Sequence, residues 1–262
     1  MHGRVSFRAV AIIAVFNQKG GAGKTTTALN LLAAIAQHGR RPTALDLDPQ
    51  CHLTHVLGIV PKTPDETMFA FFLRQRPLSE LARFTTSGLV LLPAHLELAK
   101  LDSLLGKGVN VVTRLRHALH SDQGVPQPIV IDCCPLLNVL SLNAVFAADL
   151  VLVPVAADYL ALQGALSVER ALNALEPVFR HRVPRRYVLT RYDGRRRMSE
   201  AVAQISSTRS DSRIFCATRI RENVKLAESP AVGLDIFRMA PESRGARDYL
   251  ALAEELLDAG LW

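Results

Sequence analysis

The sequence predicts an α/β fold: a doubly wound, mostly parallel sheet flanked by helices. Short apolar runs recur that are continuous rather than alternating, the pattern of strands covered on both faces. Between them lie stretches with apolar residues at helical spacing, so strand-like and helix-like segments alternate along the whole length.

Ala9 to Phe16 is the first such run, and it breaks into glycines. Lys24 to Gln37 follows with Ala28, Leu31, Leu32 and Ile35 at helical spacing, and Gly39 stands where a helix would stop. Pro42 to Asp46 reads as a second strand ending in a carboxylate, and residues Pro64 to Ala82 as short helices around Pro77. Further strands are expected at Leu89 to Leu92, Pro128 to Asp132, Leu150 to Val155, Arg186 to Thr190 and Arg213 to Ala217. Helices are expected at His95 to Leu105, Leu160 to Leu175, Met198 to Ser207 and, closing the chain, Ala246 to Ala259.

A length of 262 residues with 49% hydrophobic composition suffices for one large α/β domain or two small ones. No Ser/Gly/Pro-rich stretch or single-sign charge block interrupts the alternation, so residues 1–262 read as a single domain. Four cysteines, two of them adjacent at Cys133 and Cys134, make a poor disulfide framework, and a reducing compartment fits better. No apolar stretch reaches the length needed to cross a bilayer and no cleavage site follows the first apolar run, so the expected location is cytoplasmic. A formal charge of +7 and a pI of about 9.6 are consistent with a polyanionic partner.

Between the first strand and the first helix lies Lys19-Gly20-Gly21-Ala22-Gly23-Lys24-Thr25-Thr26, the context that turns a glycine pattern into a triphosphate-binding loop. Glycines let successive backbone N–H groups converge on phosphate oxygens, and the helix N-terminus adds partial positive charge. Lys24 is placed to bridge the β- and γ-phosphates and the Thr25 hydroxyl to ligate Mg2+. Gln18 stands where the ordinary loop has glycine, and Lys19 adds a second cation that can stabilise charge developing in phosphoryl transfer.

Asp46-Leu47-Asp48-Pro49-Gln50 closes the second strand, and its alternating carboxylates suit magnesium and water at the mouth of an apolar sheet. Ile129-Val130-Ile131-Asp132 is an apolar strand ending in a carboxylate, the arrangement that holds magnesium through water, with Asp132 as the candidate. His52 and His55 lack partners at ligand spacing and read as surface or switch residues.

The loop resembles the deviant Walker A loop of the ParA and MinD group, and the resemblance extends nearly chain-long. It includes Leu142-Asn143-Ala144, Val153-Pro154-Val155, Tyr159 to Gly164, Tyr192 to Arg195 and Asn223 to Glu228. The match is to the short, Soj-like members. It implies a weak, partner-stimulated ATPase that uses ATP and Mg2+ and closes a nucleotide-sandwich homodimer, in which Lys19 acts in trans. It also implies that Asp48 positions the attacking water and that Asp46 supports the magnesium shell.

By the same resemblance the dimer grips DNA without sequence preference, a ParB-like or cargo-adaptor protein triggers hydrolysis, and the protein is nucleoid-associated. The basic cluster in the C-terminal third supplies the candidate DNA contacts Arg195, Arg196, Arg197, Arg219, Arg221 and Lys225. Thr190-Arg191-Tyr192-Asp193 superficially resembles a guanine-recognition element, in which Asp193 would act. Arg191 replaces the expected lysine, and the resemblance favours ATP.

Four positions depart from the family pattern: Cys51 stands for a glycine, Cys134 for a proline, Arg221 for a proline and Glu222, beside it, for an arginine. A MinD-like membrane switch is the alternative function. It calls for a basic amphipathic tail, whereas Asp248 to Trp262 holds Glu254, Glu255 and Asp258 and no lysine or arginine. The adjacent Cys133 and Cys134 are too close together for a subunit-bridging iron–sulfur cluster of the nitrogenase iron protein kind.

Overall fold

The computed structural model of the chain describes residues 12–106, 108–121, 124–179, 183–196 and 214–259. Its strands are β1 (Ile12–Val15), β2 (Thr43–Leu47), β3 (Arg83–Phe84), β4 (Val90–Leu92), β5 (Ile129–Cys133), β6 (Leu150–Ala156), β7 (Arg185–Tyr192) and β8 (Phe215–Arg221). They form one sheet in the order β3-β4-β2-β5-β1-β6-β7-β8. Every pairing is parallel except β3 against β4. The doubly wound sheet expected from the sequence is therefore present.

The helices are α1 (Lys24–Gln37), α2 (His52–Val56), α3 (Met68–Arg74), α4 (Leu78–Leu81), α5 (Leu101–Leu105), α6 (Val109–Val112), α7 (Arg114–His120), α8 (Val139–Ala147), α9 (Tyr159–Phe179), α10 (Val224–Glu228), α11 (Ile236–Met239) and α12 (Arg244–Asp258). They cover the sheet on both sides. Successive residues of a strand point to opposite faces, so Ile12 and Ala14 enter one core while Ile13 and Val15 enter the other. The first core lies under α3, α7, α8 and α9, and the second under α1 and α12. Double coverage explains why the strand sequences are continuously apolar.

Helix α1 buries Leu29, Leu31, Leu32 and Ile35 at 2% exposure or less, each contributing about 1.5–3 kcal/mol before ordering entropy is counted. Its N-terminus is thereby held rigidly above the sheet. Helix α12 is capped by Ser243, which accepts from the Ala246 N–H at 3.1 Å, and buries Tyr249, Leu252, Ala253 and Leu256. Its carboxylates turn to the edge strand: Glu255 accepts from the N–H groups of Ala217 and Thr218, both at 2.8 Å, and Asp248 from that of Arg221 at 2.9 Å.

Several boundaries differ from the expected ones. Strand β8 runs on to Arg221, because its second half alternates polar and apolar as an edge strand does and so lacks a continuous apolar run. β3 has two residues and no periodicity to read. Helix α8 is buried at all nine positions and has no polar face to reveal a helical period. The expected helix from Met198 to Ser207 and part of the first apolar run lie outside the described residues.

Strand β1 sits between β5 and β6, with the rest of the sheet built outward in both directions. The carboxyl end of β1 is thus the point where chain direction across the sheet divides, and ligands of such sheets bind there.

Candidate active site

The loop after β1 is tied down at three places. Asn17, fully buried, donates to the Pro154 carbonyl on β6 at 2.7 Å and accepts from the Lys19 N–H at 3.0 Å. Thr190, at the end of β7, donates its hydroxyl to the Ala22 carbonyl at 3.1 Å. Gly21 and Gly23 have φ of 72° and 88°, conformations that strain any residue with a β-carbon. Gly23 caps α1 with no side chain, so no side chain engages the first N–H groups of the helix there, an arrangement suited to an anion. Lys24 starts that helix and folds back over the loop to donate to the Lys19 carbonyl at 3.1 Å. Burial holds its pKa below the usual lysine value, opposed by the charges of Asp132 and Asp48.

Parallel pairing of β2 with β5 sets Asp46 beside Asp132 in register. Asp46 is fully buried; it accepts from the Asp48 N–H at 3.0 Å, the Thr54 N–H at 2.8 Å and the Thr54 hydroxyl at 2.6 Å. Burial raises its pKa to about 6 despite those bonds. Thr54 in turn accepts from the Ala94 N–H at 2.9 Å, which joins α2 to the strand ends. Asp48 is 7% exposed and accepts from the Gln50 N–H at 2.9 Å.

Asp132 is fully buried, and neither of its carboxylate oxygens has a hydrogen-bond partner among the described residues. Burial and then the neighbouring Asp46 push its pKa well up, against a smaller pull from the Thr25 hydroxyl. A buried carboxylate without partners is costly unless a cation meets it. The group fits magnesium, which takes one or two carboxylates and fills its remaining positions with water and substrate phosphate. Among the described residues no three His, Cys, Asp or Glu side chains form a metal cluster.

Cys51 keeps a left-handed backbone, φ 56°, so the glycine-type conformation persists without the glycine. Its thiol donates to the Pro49 carbonyl at 3.3 Å. Burial raises the pKa of all four thiols, to about 12 for Cys51 and Cys216 and about 11 for Cys134, and well up for Cys133, so they are held as neutral thiols.

Lys19 extends to Asp158, just before α9, with Nζ at 3.1 and 3.3 Å from the two carboxylate oxygens. Sequence reasoning missed Asn17, Thr54 and Asp158 as site residues. Asp158 was legible only as the carboxylate preceding the Tyr159 to Gly164 element.

A cleft of about 500 Å³ opens beside the loop, lined by Gly21, Gly23, Thr26, Thr190, Asn223 and Leu226 among others. Arg191, Arg221 and Glu222 form its outer wall. A second opening, about 590 Å³, lies between Thr25, His52, His55 and Pro230; the two histidines stand exposed on α2.

Those candidate DNA contacts that are described are engaged within the chain, and Arg221 among them lines the first cleft. Arg195 and Arg196 pair with Asp193, Arg196 also with Glu222 at 2.7 Å, and Lys225 with Glu228 at 2.9 Å. The Arg195 guanidinium holds the Asp193 carboxyl below the usual range. Arg221 grips Asp248 with two nitrogens, and Arg219 lies over the Tyr192 ring at 5.0 Å from its centroid. Arg197 lies outside the described residues.

Residues 10–183 match the family described as an AAA domain. The chain is 34% identical over 257 residues to the chromosome partitioning protein ParA of Caulobacter vibrioides, covering 97% of this chain and 96% of that one. It is 39% identical over 252 residues to the chromosome-partitioning ATPase Soj of Thermus thermophilus, covering 94% of each. Among solved structures, cobyrinic acid a,c-diamide synthase from Mycobacterium smegmatis with bound ADP and magnesium superposes with a TM-score of 0.80. It is 30% identical and covers 95% of this chain and 94% of that one. The same synthase is also known with an ATP analogue and magnesium, at the same TM-score and identity. The glycine loop at the division point of the sheet, the aligned strand-end carboxylates and these matches agree: the chain belongs to the ParA/Soj family of P-loop ATPases.

Proposed function

We propose that residues 1–262 act as one magnesium-dependent ATPase domain that pairs on ATP, binds DNA non-specifically and releases it when a partner protein stimulates hydrolysis. The observation that supports this most is Asp132, a buried carboxylate lacking partners, within electrostatic reach of Lys24 and Thr25 at the mouth of the glycine loop. The triphosphate lies along the loop, where N–H groups of residues 20–26 and the Lys24 ammonium meet its charge. Thr25 and Asp132 would hold the magnesium, with Asp46 adding negative charge behind them. Bound there, magnesium would supply positive charge against the phosphate oxygens.

Asp48 orients the attacking water: Asp46 fixes its backbone N–H, and the Gln50 N–H engages one of its carboxylate oxygens and leaves the other facing the site. Lys24 must exchange the Lys19 carbonyl for phosphate, and its lowered pKa makes that exchange favourable, since phosphate charge restores what burial removes. Lys19 acts on the phosphates of a second subunit. The nucleoside occupies the 500 Å³ cleft. Asp193, the group a guanine would use, is absent from the cleft lining and engaged by Arg195 and Arg196, which favours adenine.

The DNA face is the arginine cluster at the ends of β7 and β8. Its internal carboxylate partners are neutralising, so DNA phosphates must displace them, and binding should be weak at first contact and steeply dependent on salt. Segregation or positioning of a DNA or protein cargo, with a ParB-like or adaptor protein as trigger, follows from the family. The proposed location is the cytoplasm, on the nucleoid. No described helix is long and apolar enough to cross a membrane, and the apolar side of α12 is spent on the protein core. The test is retention on DNA with and without ATP across a salt series. Retention that requires ATP and falls sharply between 50 and 200 mM salt is expected, by ~10³ or more for six to ten phosphate contacts. Equal retention without nucleotide would overturn the proposal.

A further inference from the structure

We propose, on the reading of the corner at the ends of β7 and β8 as the DNA face, that Glu222 is an internal stand-in for nucleic-acid phosphate. It occupies Arg191 and Arg196 within the chain and so sets the threshold at which that corner takes up DNA. Three carboxylates meet the arginines there, and two of them are tied into the backbone. Asp193 accepts from the Arg195 N–H at 3.1 Å, and Asp248, 6% exposed on α12, accepts from the Arg221 N–H at 2.9 Å. Among the described residues the Glu222 carboxylate meets guanidinium groups alone: Arg196 at 2.7 Å and Arg191 at 3.5 Å. Glu222 is thus the acid that can let go without undoing the fold.

Its backbone is fixed although its carboxylate is not. The Glu222 N–H donates to the Tyr192 carbonyl at 2.9 Å, which sets the residue between the two strand ends. Arg191 meets it from a left-handed backbone, φ 52°, a conformation uncommon for a residue with a β-carbon. Both guanidinium groups are open to solvent, Arg191 at 65% and Arg196 at 59%, and Glu222, at 34%, is the more buried member of each pair. A phosphate can therefore approach the arginines from outside. Carboxylate and phosphate offer a guanidinium the same paired oxygens, so the two compete for one position. Arg196 keeps a second contact to Asp193 at 3.5 Å, but Arg195 already holds that carboxylate at 3.0 Å. Exposed pairs are worth about 1.4- to fivefold each, too little to exclude a polyanion and enough to move the salt concentration at which it leaves.

The experiment uses the full chain with Glu222→Gln and a fluorescent duplex of random sequence, titrated over about 50 to 200 mM salt. A saturating non-hydrolysable ATP analogue keeps any change in nucleotide affinity out of the readout. Glu222→Ala replaces the variant should the melting curve show a folding defect. Glu222→Gln is expected to bind the duplex about two- to twentyfold more tightly than the parent. The slope of log affinity against log salt is expected to steepen by about 1 to 2, since each freed arginine adds a phosphate contact worth about 0.9. Glu254→Gln, which removes an exposed charge from α12 without touching the arginine pairs, is expected to leave that slope at the parent value. With Arg191→Ala and Arg196→Ala in place, the gain from Glu222→Gln is expected to vanish; a gain that persists is a general charge effect and overturns the proposal. If the parent binds the duplex and Glu222→Gln matches it in affinity and slope, the stand-in is refuted while the DNA reading survives. If neither binds at the lowest salt, that reading fails and the stand-in fails with it.

Discussion

Replacing Gly245 with alanine puts a methyl group where the structure leaves no room. A β-carbon there would lie 2.8 Å from Leu226 Cγ, 2.9 Å from Leu226 Cδ1 and 3.2 Å from Asn223 Nδ2. Carbon atoms settle about 3.5–4.0 Å apart, so Leu226 must retreat by about 0.7 Å or more. Overpacking of this kind costs about 1–3 kcal/mol, whereas alanine gains up to about 1 kcal/mol over glycine in a helix interior. Gly245 is the second residue of α12, where that gain is smaller, so a net loss of roughly 1 kcal/mol is expected. Leu226 and Asn223 both line the cleft assigned to the nucleoside, so a shift of either changes its wall. ATP should therefore bind about two- to tenfold more weakly, tenfold corresponding to ~1.4 kcal/mol. Urea unfolding and a nucleotide titration on the same preparation measure both effects. A variant more stable than the parent with unchanged affinity would refute the reasoning about the α12 contact and the place of the nucleoside together.

The pH dependence of stability follows from Asp46, whose pKa rises from the ordinary 3.8 to about 6 in the fold. The folded protein holds that proton more tightly, so the contribution is fully present below pH 3.8 and is lost as pH rises through about 6, a change of roughly 3 kcal/mol. Urea midpoints from pH 4 to 7, taken as parent minus Asp46→Asn, should fall across that window; a flat difference counts against the burial argument. At Cys51 the left-handed backbone and the buried thiol oppose each other. Cys51→Ala should lose about 1 kcal/mol because strain stays and packing goes, while Cys51→Gly should stay within about 0.5 kcal/mol of the parent, each read by thermal unfolding. Equal losses in the two variants would show that the backbone there is unstrained.

Much of this molecule was legible because its central strands are buried on both faces. Such strands write themselves as apolar runs, and β2, β5 and β6 lie within a residue or so of where those runs place them. The glycine loop was legible for a different reason: positive φ at Gly21 and Gly23 and an uncapped α1 leave little choice of residue. What escaped reading depends on contacts distant in sequence. Asn17 finds Pro154 across 137 positions and Lys19 finds Asp158 across 139, and no local spacing announces either. The arginine cluster was visible as composition, but its pairing with Asp193, Glu222 and Asp248 depends on β7, β8 and α12 meeting at one corner.

The two margins of the sheet have a bearing on assembly. At one margin, three peptide N–H groups of β8 are already taken by carboxylates projecting from α12. At the other, β3 presents two residues, too short to seed a ladder. Among the described residues neither edge of the sheet offers a neighbouring chain a template for lamination, so the pairing proposed above would run through helix and loop surfaces. Contacts of that sort can be undone by a change of bound ligand or ionic strength, which would keep such pairing reversible.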